Sequence, residues 1–144
     1  MVINQIVSYF DIRLILRVKA WRDILEKTDI STFYDNLVPD VFSEEFLFSN
    51  KERLGEIKSM FLGISVKENL IKLIDAITNK NETTDYKKIN NPVLLLCSKK
   101  DSFTPPEHSY YAVKLFRNAA LYEIDAGHIN NVEKPDEYSK AVRD

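Results

Sequence analysis

Two hydrophobic rhythms follow one another along this chain, a helical one in its first eighty residues and a strand-like one from Val93 onward. Leu14, Val18, Trp21 and Leu25 are spaced by four, three and four residues, which sets them along one face of a helix. Ser43 before Glu44 and Glu45 reads as an N-cap with acidic residues in the first turn, opening a short helix through Phe46 and Leu47. Leu54, Ile57, Phe61 and Ile64 mark another helix by the same spacing. Ser65 and Glu68 fit a capping box, and Leu70, Leu73, Ile74 and Ile77 follow on one face. These aliphatic and aromatic stripes are read as core.

The polar stretch from Asn79 to Asp85 separates the two rhythms, so the chain divides into a helical region, residues 1–84, and a second region, residues 85–144. After Asn91-Pro92, the run from Val93 to Cys97 is apolar at every position, as in a strand buried on both faces. A loop from Ser98 to Thr104 leads to Pro105-Pro106-Glu107, a helix start, since proline lacks a donor that the first turn leaves unpaired anyway. Tyr110, Val113 and Leu115 or Phe116 supply that helix's apolar face, and His108 at its start is expected to be exposed. Ala120 to Ile124 reads as a second strand and Asp125 to His128 as a loop. Pro135 then opens a last helix with Tyr138 and Val142 facing inward. Strand, helix and strand in this order predict a parallel, right-handed βαβ unit and an α/β fold class. The first strand has one clear neighbour, Ala120 to Ile124, so its other edge is expected to pair with a second copy or with a separate N-terminal half.

Composition narrows the partners. The 144 residues carry 20 Lys and Arg against 22 Asp and Glu, with no long run of one sign to track phosphate, so no nucleic-acid partner is expected. Asp11, Arg13 and Arg17 interrupt the apolar N-terminal residues well short of a bilayer span, and no basic segment precedes them; neither membrane insertion nor a signal peptide is expected. A single cysteine, Cys97, allows no internal disulfide and fits a reducing, cytoplasmic setting. It ends an apolar strand and reads as a small buried hydrophobe. Two histidines and one cysteine provide no metal-ligand spacing, and no glycine-rich phosphate loop occurs, so no metal or other cofactor is expected.

Candidate chemistry lies in the second region. Asp101 stands four residues past Cys97, and His128 stands four past Ile124. Parallel neighbouring strands lie about 5 Å apart, so loops leaving their C-terminal ends can bring these side chains together. A carboxylate accepting from one ring nitrogen fixes the histidine's tautomer and leaves the other nitrogen free as a base, which makes two-thirds of a triad. Taken alone the pair stays open, because an aspartate in a polar loop is also a turn residue and Gly-His after a strand is also structural.

The surrounding words carry a resemblance. Ile89 through Asp101, Thr104-Pro105-Pro106, Ala120 to Ile124, Ala126-Gly127-His128 and Glu133-Lys134-Pro135 resemble the C-terminal segment of α/β-hydrolases, most strongly the esterase and enol-lactonase-like branch. The resemblance implies Asp101 as the triad acid and His128 as the base; Glu133 matches the pattern before the final helix without a catalytic role. Residues 1–80 resemble more loosely the helical lid of that family. Trp21 and the segment from Phe33-Tyr34 to Phe46-Leu47 are consistent with a lid lining an apolar pocket, although helix packing explains them as well. Ser98 departs from the glycine common in the family. A second departure is larger: Gly55, Gly63 and Gly127 are the only glycines, no serine has one on both sides at the required spacing, and the Gly-x-Ser-x-Gly nucleophile elbow is therefore absent from this sequence.

The resemblance thus implies the C-terminal part of an α/β-hydrolase bearing the acid and the histidine but no nucleophile, inactive alone. It would be a truncated product or one half of a split enzyme. Completed by an N-terminal half, it would act on a small ester, lactone or thioester through an acyl-enzyme, or perform a related acyl transfer. The alternative is a non-catalytic helical interaction module that keeps the βαβ unit as structure.

Overall fold

A computed structural model describes residues 1–9, 11–78 and 85–143, and the polar stretch from Asn79 to Thr84 lies outside the described residues. The described residues form two compact units, a sheet unit of residues 1–9, 40–43 and 85–143 and a helical unit of residues 11–39 and 44–78.

The helical unit begins where Asp11 caps α1 (Ile12–Lys27), its carboxylate accepting from the backbone N–H of Arg13 at 2.8 Å. Leu14, Val18, Trp21 and Leu25 are the buried residues of α1, as their spacing predicts. The chain continues through α2 (Ile30–Val41), whose last residues belong to the sheet unit, then α3 (Glu44–Ser49), α4 (Leu54–Ile64) and α5 (Lys67–Thr78). Helix α1 packs against α5, and Arg22 joins Asp75 across them at 2.5 Å. Trp21 meets Phe33 edge-on at 6.0 Å, and Phe61 leans on Tyr34 at 5.0 Å. Two expected stripes are only partly used. No residue of α4 is fully buried, Ile64 being 84% exposed, and in α5 Ile74 is buried while Leu73 is 59% exposed. Periodicity finds the helix correctly but does not say how much of the stripe meets a neighbour.

The sheet unit is built on three parallel strands in the order β1 (Val2–Asn4), β2 (Val93–Ser98), β3 (Ala119–Ile124). Val2 pairs with Leu94 and Asn4 with Leu96 on one side, and Val93 pairs with Ala119 and Ser98 with Ile124 on the other. Strand β2 is therefore central, and the edge expected to be open is occupied by β1. This corrects both the pairing expected through Val93–Cys97 and the reading of the first residues with the helices. Three residues are too short to show a period, but they suffice when a fully apolar strand offers a complete row of partners.

Between β2 and β3 runs α6 (Glu107–Ala112), opened by Pro106 at its N-cap. Its inward face differs from expectation. His108, Ala112 and Phe116, four residues apart, are buried, while Tyr110 and Tyr111 are 37% and 49% exposed. Small Ala112 lets the helix approach Val93 and Leu95, and Ile3, Ile6, Val113 and Leu121 pack around that cluster. Burying Leu95 alone is worth about 1.5–3 kcal/mol. His108 is fully buried rather than exposed. Tyr9 stacks on its ring at 3.9 Å and the Ser8 hydroxyl donates to its carbonyl at 2.6 Å. The segment after β1 thus supplies a cover that nothing local to His108 announces.

After β3 come α7 (Asn130–Glu133) and α8 (Pro135–Arg143), where Ala141 is buried and Val142, expected inside, is 42% exposed. No helix among the described residues is long and apolar enough to cross a membrane.

Candidate active site

Parallel strands send their C-terminal loops to the same sheet edge, and here the ladder continues past the strand ends. Lys99 N–H donates to the Ile124 carbonyl at 2.9 Å and Lys100 N–H to that of Ala126 at 3.0 Å. The Lys100 ammonium also reaches Asp125 at 3.1 Å. These contacts lay the loop of Asp101 against that of His128.

Asp101 is 4% exposed and uses its two oxygens differently. Oδ1 accepts from the backbone N–H groups of Phe103 at 2.9 Å and Thr104 at 2.7 Å, the turn-forming role that an aspartate in a polar loop commonly takes. Oδ2 lies 2.8 Å from Nδ1 of His128. A carboxylate already accepting two N–H bonds acts as an acceptor toward the ring, so Nδ1–H donates and Nε2 carries the lone pair. The alternatives left open on spacing are thus not exclusive, because one carboxylate makes the turn and holds the histidine. The His128 side chain keeps 25% of its surface exposed, and the Phe103 ring stands edge-on to it at 4.9 Å. Together the contacts with Asp101 and Phe103 orient the imidazole while leaving it open on one side.

The histidine loop is pinned from a second direction by residues 40–43. Ile129 N–H donates to the Val41 carbonyl at 3.2 Å, and the Ser102 hydroxyl donates to the Asp40 carbonyl at 3.0 Å. Glu133 accepts from Ser43 N–H at 2.8 Å and from the Ser43 hydroxyl at 2.6 Å. Gly127 sits inside this clamp. A Cβ there would lie 2.5 Å from Ser43 N and 2.8 Å from the Phe42 carbonyl carbon, so only glycine fits immediately before His128. Glu133, which the sequence placed without a role, is an anchor for this segment.

Four further residues join the site that sequence reasoning did not identify. At the end of β1, Asn4 and the fully buried Asn130 exchange amide bonds, Asn4 Nδ2 donating to Asn130 Oδ1 at 3.1 Å and Asn130 Nδ2 to Asn4 Oδ1 at 2.9 Å. Asn130 Nδ2 also donates to Ser98 Oγ at 3.0 Å, and Gln5 Nε2 donates to the same oxygen at 3.0 Å and to the carbonyl of His128. The only signal was Ser98, noted as a departure from glycine.

Cys97 lies apart from this chemistry, 1% exposed, its thiol pushed up to about 11 chiefly by burial and then by Glu123. It stays protonated at neutral pH, a buried hydrophobe as expected. His108 lies away from the Asp101 pair, against Ser8 and Tyr9. No group of three or more His, Cys, Asp and Glu side chains among the described residues could hold a metal ion.

No family model matches the sequence. The pyrrolizixenacetamide deacetylase of Xenorhabdus hominickii is 21% identical over 142 residues, 98% of this chain and 53% of its own. Among solved structures, an α/β-hydrolase enzyme from a Medee basin deep-sea metagenome library matches with a TM-score of 0.88 at 22% identity, over 99% of this chain and 54% of that one. The enol-lactonase of Burkholderia xenovorans matches with a TM-score of 0.78 at 21% identity, over 87% of this chain and 48% of that one. The chain has the fold of the C-terminal portion of an α/β-hydrolase, and it spans about half the length of the relatives it matches.

Proposed function

We propose that this chain is the C-terminal half of a serine hydrolase, contributing the acid Asp101 and the base His128 to a triad whose nucleophile and oxyanion hole come from an N-terminal half. The observation that carries this reading is the 2.8 Å contact between Asp101 Oδ2 and His128 Nδ1, made by a buried carboxylate whose other oxygen is fully engaged. In that role His128 Nε2 removes the proton from a serine hydroxyl as it attacks an acyl carbon, and returns it to the leaving group. Asp101 stabilises the imidazolium formed in between. Small esters, lactones and thioesters are the substrate class, in keeping with the enol-lactonase among the matching proteins.

Support for a missing half comes from coverage of about half of each relative and from the absence of Gly-x-Ser-x-Gly in this sequence. With β2 enclosed, β1 and β3 are the two edge strands of the described sheet, and β1, whose Val2 is 41% exposed, is the one we assign to pairing with an N-terminal half. The helical unit would serve as the lid, and a cytoplasmic setting is in keeping with the lone buried thiol.

The test is chemical. The isolated chain is expected to leave p-nitrophenyl acetate at the buffer rate and to take up no fluorophosphonate probe, because an acid and a base have nothing to activate. Stoichiometric labelling of a serine in the isolated chain, abolished by His128→Ala, would overturn the division of the triad between halves.

A further inference from the structure

His128 is held at two points, and the Asp101 carboxylate accounts for only one. The other is its own backbone carbonyl, which accepts from Nε2 of Gln5, 123 residues earlier in the chain. Gln5 is well placed for this. It follows β1 directly, its N–H continuing the ladder to the Leu96 carbonyl at 2.9 Å, so its backbone is fixed to the central strand. The same Nε2 donates to Ser98 Oγ at 3.0 Å, and Ser98 ends β2 three residues before Asp101. Asn130, two residues beyond His128, donates to that same hydroxyl at 3.0 Å. One amide thus ties the ends of β1 and β2 to the histidine loop after β3.

The backbone at Gln5 points the same way. Its φ is 54°, and it is the only described residue other than glycine with a positive φ. An L side chain is disfavoured there and glycine is not, so a glutamine at such a position with its side chain in use gives the strain a functional reading.

We propose that Gln5 is a positioning residue for His128: its amide, braced on Ser98, fixes the histidine's backbone so that Nδ1 stays on Asp101 and Nε2 stays free for a nucleophile's proton. This rests on the acid–base reading of Asp101 and His128. The amide touches no reacting atom and acts through the histidine alone.

The test uses the 144-residue chain labelled with 15N. In the wild type, the proton on His128 Nδ1 gives a deshielded, slowly exchanging resonance, and Asp101→Asn abolishes it. Gln5→Gly removes the amide but suits the positive φ, so the melting temperature is expected to hold or rise while that proton exchanges with solvent at least tenfold faster. Gln5→Met, of similar length and without a donor, is expected to accelerate exchange to the same degree, and it decides the matter if Gln5→Gly fails to fold. Exchange within twofold of wild type in the folded variants overturns the proposal. A loss of the resonance matched by an equal loss of backbone amide protection across β2 also overturns it, since that is a merely structural role. If the resonance survives Asp101→Asn, the acid–base pairing itself is wrong and this proposal falls with it, an outcome distinct from the other two.

Discussion

The two units bury different things. In the helical unit the buried residues are Leu14, Val18, Trp21, Leu25, Phe33, Tyr34 and Ile74, whereas Ser43, Ser98, Asp101, Thr104, His108, Ser109 and Asn130, the buried polar residues among those described, all lie in the sheet unit. Burying a polar group costs stability unless its hydrogen bonds are made, and a network that makes them specifies one arrangement. The interior of the helical unit therefore rests on shape, while the sheet unit adds to its own apolar core around Val93, Leu95 and Ile124 a set of buried polar groups that fixes orientation. The buried Ser43, Ser98, Thr104 and Asn130, bonded around the loops of Asp101 and His128, are what a site that must hold an imidazole requires.

The comparison can be broken by mutation, beginning with the apolar side. Leu25→Ala, at a fully buried position, is expected to cost about 2–5 kcal/mol in urea unfolding. A cost below about 1 kcal/mol would deny that the helical unit rests on α1's stripe. On the polar side, Asn130→Leu keeps the branched shape but strands the amide of Asn4 and one bond of Ser98, and a loss of about 2–3 kcal/mol is expected. If it is neutral, the network contributes nothing that an apolar core would not. Gly127→Ala pushes a methyl onto Ser43 N, Glu133 Oε1 and the Phe42 carbonyl carbon and is expected to cost about 1–3 kcal/mol, with faster amide exchange at Ile129 as the clamp opens.

A smaller effect should appear at alkaline pH. Burial raises the Cys97 thiol from 9.0 in the unfolded chain to about 11, so the folded state holds the proton more tightly. Stability is then full below pH 9.0 and declines as pH rises through the window up to about 11. Cys97→Ala should flatten that decline in unfolding curves, and an unchanged slope would contradict it. The smallest change is expected at Tyr34 in the helical unit, whose buried hydroxyl has no hydrogen-bond partner among the described residues. Tyr34→Phe removes that burden and should be neutral or stabilising by up to about 1 kcal/mol, opposite in sign to the polar deletions of the sheet unit. Destabilisation would mean that the hydroxyl is used.

What could be read in the sequence follows the same division. The stripe of α1 and the apolar run of β2 announce themselves by period, because burial of a whole face repeats along the chain. Asp101 and His128 were legible because parallel neighbouring strands must send both loops to one sheet edge, where the structure brings them within 2.8 Å. What sequence reading missed depends on contacts far apart in the chain. Three residues of β1 show no rhythm, yet they enclose β2 and carry Asn4 and Gln5 to the site. His108 looked exposed because its cover, Tyr9, lies 99 residues earlier. The α6 face was misjudged by ranking residues on hydrophobicity. Tyr110 instead points its hydroxyl at Glu123, at 2.5 Å, and leaves the interior to Ala112.

Whether Asp101 and His128 serve as acid and base for a nucleophile supplied by another segment is decided by mixing the chain with an N-terminal hydrolase half that carries Gly-x-Ser-x-Gly and following ester hydrolysis. Turnover is expected only in the mixture, reduced on the order of 10³-fold or more by either His128→Ala or Asp101→Asn. Turnover in the mixture that is indifferent to both substitutions would contradict that role.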